Sequence, residues 1–217
     1  CLQAALKAIG SGETPQAVLS SELLHALSLV LKHPTLDAAF KELVLTLPSE
    51  TYISEQLTTV DPQRVHAVRE AMRLQLATDL HADWVWAFEA HRDNGIYQPD
   101  PVSSGRRALS GLALTMLCLH GVQTNDNTWP HKALLHFTKA GNMTDRFNAL
   151  SALVQSGHAL ANEALAIFYK MFASEALVID KWFALQAGAS DRGGHILPIV
   201  RQLLLHPDFS IKNPNRA

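Results

Sequence analysis

Cysteine is nearly absent from this sequence: its 217 residues hold two, Cys1 and Cys118. A secreted module that leans on disulfides carries more, so a reducing compartment, the cytoplasm, is expected. Charge of one sign is missing too. Lys and Arg number 18 against 20 Asp and Glu, a net charge of −2 at pH 7, and the signs are interspersed. With no basic stripe and no acidic tail, nucleic acid and anionic membranes are not expected partners. No apolar run reaches the ~20 residues of a membrane span. The nearest stretch, 108–122, is interrupted by Ser110, Thr115 and His120. No charged segment followed by an apolar core opens the chain. Period-2 alternation is lacking, which excludes a half-buried sheet as the organising element.

Signatures of catalysis are equally scarce. A helical zinc-hydrolase site needs two His one turn apart with Glu beside the first. None of the 11 His is followed by Glu or lies one such turn from another. His25 and His33 fall on different helix faces, as do His131 and His136, so structural or solvated roles are expected. Gly10-x-Gly12 and Gly193-Gly194 lack the strand and spacing of phosphate loops and read as turns. His91-Arg92-Asp93 matches the start of a kinase catalytic loop, but Gln98 stands where the magnesium-binding Asn belongs. No Gly-x-Ser-x-Gly elbow surrounds any serine. The expected catalytic and metal-ligating residues are therefore none.

What is present is helical spacing almost throughout, in a chain that is 47% hydrophobic and long enough to bury a large core. Thr14-Pro15 opens a helix carrying Val18, Leu19, Leu23, Leu24, Leu27 and Val30, which His33-Pro34 stops. Thr35 caps a short successor with Leu36, Phe40 and Leu43, and Ser49 opens another. Asp61-Pro62 starts the longest helix, with a stripe of Val65, Val68, Met72, Leu76, Leu80, Trp84 and Phe88 running towards His91. About 30 residues make roughly 45 Å of helix. Trp84 and Trp86 cannot share a face, so one is expected in the core and one at an interface.

Asp93-Asn94-Gly95 ends that helix, and Pro99-Asp100-Pro101 extends the break. A sub-boundary is expected near 93–102 within a single helical domain, 1–217. Ser103 or Ser104 opens a helix that is apolar nearly all round, expected central and buried. Gly121 closes it before an exposed loop at 124–128. Shorter helices follow near 130–140, 144–155, 159–172, 174–187 and 198–206. Their short connections favour antiparallel neighbours. The fold class is all-α, antiparallel helix pairs stacked as an armadillo/HEAT-like α-superhelix. Leu31-Lys32-His33-Pro34 echoes Leu204-Leu205-His206-Pro207, though two shared helix stops set no period.

Three stretches are not demanded by helix formation: Asn142-Met143-Thr144-Asp145, Val178-Ile179-Asp180-Lys181-Trp182-Phe183 and Phe209-Ser210-Ile211-Lys212-Asn213-Pro214-Asn215-Arg216. With them the chain resembles the C-terminal helical domain of bacterial aminopeptidase N, most densely from 141 to 217 and weakly before 60. The resemblance implies a bowl of paired helices closing over the active site of a zinc enzyme that removes N-terminal residues from peptides. One zinc ion is implied in the upstream catalytic domain and none in this chain. The implied role is architectural: a non-catalytic part that packs on the catalytic domain of the same polypeptide, walls the peptide-access cavity and meets peptide substrates indirectly.

The resemblance also names residues. Asn213, Asn215 and Arg216 are the substrate-cavity candidates, Arg216 offering a planar fork of donors to a peptide carboxylate or carbonyl. The plainer alternative makes Asn213 a cap and Arg216 a surface residue. Asp180, Lys181, Trp182 and Phe183 form an interface or core signature, with the rings expected inside the stack and Asp180 and Lys181 solvated or paired. Gly141-Asn142-Met143-Thr144-Asp145 is superficially similar to the family's Gly-x-Met-x-Asn motif but ends in Asp. There Thr144 reads as an N-cap, with Asp145 favourable against the helix dipole.

The ends carry an expectation of their own. Cys1 leads straight into helical spacing at Leu2, Leu6 and Ile9, and Asn213-Pro214 announces a helix with almost no chain left to form it. A fragment truncated at both ends is expected. The competing reading is an independent helical-repeat scaffold that binds a protein partner. A detached domain should expose an apolar patch, whereas a scaffold should carry polar capping helices.

Overall fold

A computed structural model describes residues 1–212 apart from 13, 14, 16, 17, 93, 94 and 192. Among the described residues there are twelve α-helices and no strand. They are α1 (Leu2–Ser11), α2 (Ser21–Lys32), α3 (Ala38–Leu45), α4 (Glu50–Ser54), α5 (Pro62–Asp79) and α6 (His81–His91), followed by α7 (Pro101–Thr124), α8 (Thr128–Lys139), α9 (Met143–Ser156), α10 (Leu160–Phe172), α11 (Ala176–Ala187) and α12 (Ile196–Leu204). Ser20, Asp37, Ser49, Asp61 and Asn142 each precede a helix in extended conformation and accept a first-turn N–H. Each cap satisfies a donor that the helix leaves open.

Several boundaries differ from those the sequence predicts, one through a distant contact and the others through short-range hydrogen bonds. Helix α2 does not open at Thr14-Pro15: Thr14 lies outside the described residues, Pro15 is not helical, and Ser20 is the cap. The buried Leu19 is held out of the helix by the Gln75 amide. Gln75 Nε2 donates to Leu19 O and Oε1 accepts the Leu19 N–H, both at 2.8 Å, so neither backbone group is left unpaired. Asp37, not Thr35, caps α3, because its Oδ1 accepts the Phe40 N–H at 2.8 Å, while Thr35 is held in a turn by His33 Nδ1, which accepts its N–H at 3.3 Å.

The single long helix from Asp61 is two helices, broken at Leu80. Trp84 Nε1 donates to Leu76 O at 2.9 Å, the carbonyl that the Leu80 N–H reaches at a longer 3.2 Å. A side-chain donor inserted into the helical ladder is a recognised cause of such breaks. The longest helix is instead α7, with 24 residues. Asp100 Oδ1 accepts the Ser103 N–H at 2.9 Å, so α7 starts at Pro101, ahead of Ser103 and Ser104. It also runs past Gly121 to Thr124. Gly121 is required by a close return of the chain. Its carbonyl accepts the Asp126 N–H at 2.8 Å, and a Cβ there would sit 2.5 Å from Asp126 O.

The fold divides into two compact units, Cys1–His120 and Gly121–Ala217, a division within α7 rather than at the Pro99-Asp100-Pro101 break. In the first unit α5 packs on α1, α4 and α6, and α2 packs on α3 and α6. Trp84, Met72, Leu76, Ile53, Leu31 and Leu117 are among its fully buried side chains. In the second unit each helix from α8 packs on its successor, and α8 also meets α10 and α9 meets α11. Contacts to the next helix and the next but one are the pattern of stacked helical repeats.

Arginines fasten the connections. Arg64 Nη2 donates to Ala8 O at 2.5 Å, Arg69 Nε to Pro48 O at 2.8 Å, and Arg107 Nη2 to Gln98 O at 2.7 Å. Arg106 Nη2 reaches Ala90 O at 3.2 Å, near the end of α6. In the second unit Arg146 of α9 donates to Phe137 O at 2.8 Å and also to Ala140 O, closing the end of α8. The last carbonyls of a helix have no partner within it and carry the negative end of its dipole, so a guanidinium suits them.

Two measurements follow. Arg146→Ala should lower unfolding stability by about 2–3 kcal/mol, the usual effect of losing charge-assisted hydrogen bonds, in urea denaturation. Arg146→Lys should recover only part of it, because an ammonium cannot fork to two carbonyls. Cys118 is buried, and desolvation pushes its thiol up to about 12. A thiolate-specific reagent should therefore label Cys1 in the native protein and Cys118 only after unfolding.

Candidate functional site

Two of the three signature stretches meet in one aromatic cluster in the second unit. Tyr169 comes from α10, Trp182 and Phe183 from α11, and His206, Asp208 and Phe209 from the segment after α12. The His206 ring lies 5.1 Å from Tyr169, 5.4 Å from Trp182 and 5.4 Å from Phe183, centroid to centroid. Phe183 reaches Phe209 at 5.7 Å in an edge-on arrangement. Such pairs add about 0.5–1.5 kcal/mol each beyond the area they bury. Polar atoms lock the cluster. Trp182 Nε1 donates to Leu165 O at 3.0 Å, Tyr169 O–H to Asp208 Oδ2 at 2.6 Å, and the Asp208 N–H to His206 Nδ1 at 3.2 Å.

Trp182 and Phe183 are buried, and so is Asp180, which the sequence places in solvent or in a pair. Lys181 is exposed, with its ammonium 5.9 Å from the Phe147 ring centroid. Phe147 packs on Phe168 at 6.1 Å, so α11 is tied through these rings to α9 and α10. Beyond the cluster, Ser210, Ile211 and Lys212 are exposed. Asn213, Asn215 and Arg216 lie outside the described residues.

The first signature stretch is a helix start. Asn142 Oδ1 accepts the Asp145 N–H at 2.9 Å, and Asn142 Nδ2 donates to Asp145 Oδ2 at 2.6 Å. Asn142 is therefore the cap, not Thr144, and the Asp145 carboxylate accepts in return from the Asn142 side-chain amide. Among the described residues no group of three or more His, Cys, Asp or Glu is placed to hold a metal ion. His25, His33 and His131 are exposed. No helix of the described residues is long and apolar enough to cross a membrane.

Sequence reasoning expected an apolar patch on a detached domain but did not say which residues form the outward apolar faces. In the first unit Phe40 and Leu43 on α3 and Leu29 on α2 point to solvent, Leu43 at 70% exposure. Trp84 is fully buried while Trp86 is 41% exposed, with the Lys41 ammonium 5.8 Å from its ring. In the second unit Leu177, Leu197, Leu204 and Leu205 are exposed. The signal was available at Phe40 and Leu43, three apart on a helix whose buried residues are Lys41 and Leu45.

The hydrogen bond to Asp208, then desolvation and the Asp208 charge, raise the pKa of Tyr169. Tyr169 should therefore ionise at higher pH than a free tyrosine in an absorbance titration. Asp208→Asn should bring its midpoint back down by removing the carboxylate.

The family model described as "Domain of unknown function (DUF3458_C) ARM repeats" matches residues 1–217. The chain is 35% identical over 198 residues to aminopeptidase N of Haemophilus influenzae, covering 91% of this chain and 22% of that protein. It is 33% identical over 204 residues to aminopeptidase N of Caulobacter vibrioides, covering 93% and 23%. Against aminopeptidase N of Escherichia coli K12 it is 31% identical over 187 residues, covering 86% and 21%. The crystal structure of Legionella pneumophila aminopeptidase A in complex with aspartic acid matches 99% of this chain and 25% of its own, with a TM-score of 0.80 at 22% identity, a likeness of fold. The chain thus spans about a fifth of the length of these curated relatives.

Proposed function

The chain belongs to the DUF3458_C family of ARM-repeat domains, and from that membership we propose that it serves as the non-catalytic helical domain of an aminopeptidase N-type enzyme. The observation that carries this is the coverage. Relatives named aminopeptidase N align over 86–93% of this chain but 21–23% of their own length. The domain packs on the catalytic part of the same polypeptide, and its apolar faces around Phe40 and Leu43 and around Leu204 and Leu205 supply surface for such packing. It walls the cavity through which peptides reach the active site. Asn213, Asn215 and Arg216 are its proposed cavity-facing groups, and the ring cluster of Tyr169, Trp182, Phe183 and His206 anchors the segment that leads to them.

The enzyme removes N-terminal amino acids from peptides in the cytoplasm. Its zinc ion, which would polarise the attacking water when bound, is assigned by the resemblance to the upstream catalytic part, and this chain is proposed to supply none of its ligands. This chain contributes architecture: fixed helix ends, a buried aromatic anchor and outward apolar faces.

The test is zinc content and hydrolysis of alanyl and leucyl anilides by the purified chain. No zinc and no turnover is the expected result. Stoichiometric zinc with turnover would overturn the proposal.

A further inference from the structure

His158 makes a contact that the proposed function leaves unused, and an obligatory donor fixes its state. The Leu160 N–H, at the start of α10, points at His158 Nδ1 from 3.1 Å. A backbone N–H can only donate, so Nδ1 holds a lone pair and the ring hydrogen sits on Nε2. Nε2 lies 2.9 Å from Asn127 Oδ1, which accepts that hydrogen. Asn127 directly precedes α8, and its carbonyl accepts from His131 Nδ1 at 2.7 Å and from the His131 N–H at 3.0 Å. One neutral imidazole thus ties the α7–α8 connection to the α9–α10 connection, across helices α8 and α10 that pack together.

We propose that His158 is an acid-released latch: unprotonated at Nδ1 it joins the two connections, and a proton taken from solvent at Nδ1 removes the acceptor, opposes two N–H groups and frees the start of α10. The same local turn, with Nδ1 accepting the N–H two residues on, occurs at His33 with Thr35 and at His206 with Asp208. That explains the Leu-x-His-Pro echo in the sequence, and His158 adds the bond to Asn127.

The titratable group facing the ring is His131 of α8, while Glu163 lies in the first turn of α10. Desolvation first, then His131, lower the pKa of His158 below the ordinary 6.5. The unfolded chain therefore takes up a proton that the folded chain resists. The latch contributes its full stability above the unfolded value and loses it as pH falls through the folded one.

Two readouts on the whole chain decide the matter. Long-range proton–nitrogen correlation should show His158 as the Nε2–H tautomer near neutral pH, with a protonation midpoint below that of free histidine. Urea unfolding across about pH 7 to 5, the histidine range, should show the folded-to-unfolded ratio falling more in the wild type than in His158→Asn. Asn offers an acceptor to Leu160 that does not titrate. An Nδ1–H tautomer, a midpoint at or above free histidine, or equal pH dependence in the two proteins would overturn the latch. Should His158→Asn not fold, the wild-type tautomer and midpoint decide alone.

Discussion

A helix that ends at a short connection leaves its last carbonyls without partners, and in this chain arginines from neighbouring helices meet that requirement. Arg64 serves Ala8, Arg106 serves Ala90, and Arg146 serves both Phe137 and Ala140. Each such bond fixes where one helix stops and which neighbour lies against it, so capping and packing become one constraint. A hydrogen bond from a charged donor contributes about 1.5–3 kcal/mol, which counts most at the part-buried carbonyls of Phe137 and Ala140. The net charge of the chain reveals none of this. Five of its 18 basic residues, Arg64, Arg69, Arg106, Arg107 and Arg146, donate to backbone carbonyls.

Helix type was legible because apolar residues recur at helical spacing across every long segment, and that periodicity survives whatever the neighbours do. Helix starts were legible where the cap is local, as at Ser49 and Asp61. They were misread at α2, where a distant side chain intervenes, and at α3 and α9, where the cap lies two residues from the one the sequence suggests. Gln75 lies 56 positions from Leu19, yet it decides that Leu19 is not helical. The Trp84 indole breaks a stripe that reads as one continuous helix, and the Asp126 return turns Gly121 from a stop into a close approach. The first joins parts of the chain 56 positions apart; the other two lie within eight residues, but helical periodicity carries no sign of a side-chain donor to the ladder or of a close chain return.

The signature stretches divide in the same way. Asn142 and Asp145 form a local cap, so the stretch has a structural use whatever chemistry its pattern resembles. The burial of Trp182 and Phe183 was readable from their size and spacing. Their meeting with His206 and Phe209 was not, because it joins α11 to the segment beyond α12. Asp180 is buried too, and its neighbours on α11 are the residues that anchor the cluster. Rigid anchoring and outward apolar faces together suit a part that holds shape for another part.

The central claim is that this chain docks on a catalytic body. The direct measurement is amide hydrogen exchange of the chain with and without the proposed catalytic part supplied separately. The account predicts one-to-one association, with slowed exchange in α3 around Phe40 and Leu43 or at the end of α12 around Leu204 and Leu205. A chain that stays monomeric, with unchanged exchange in both helices, would contradict it.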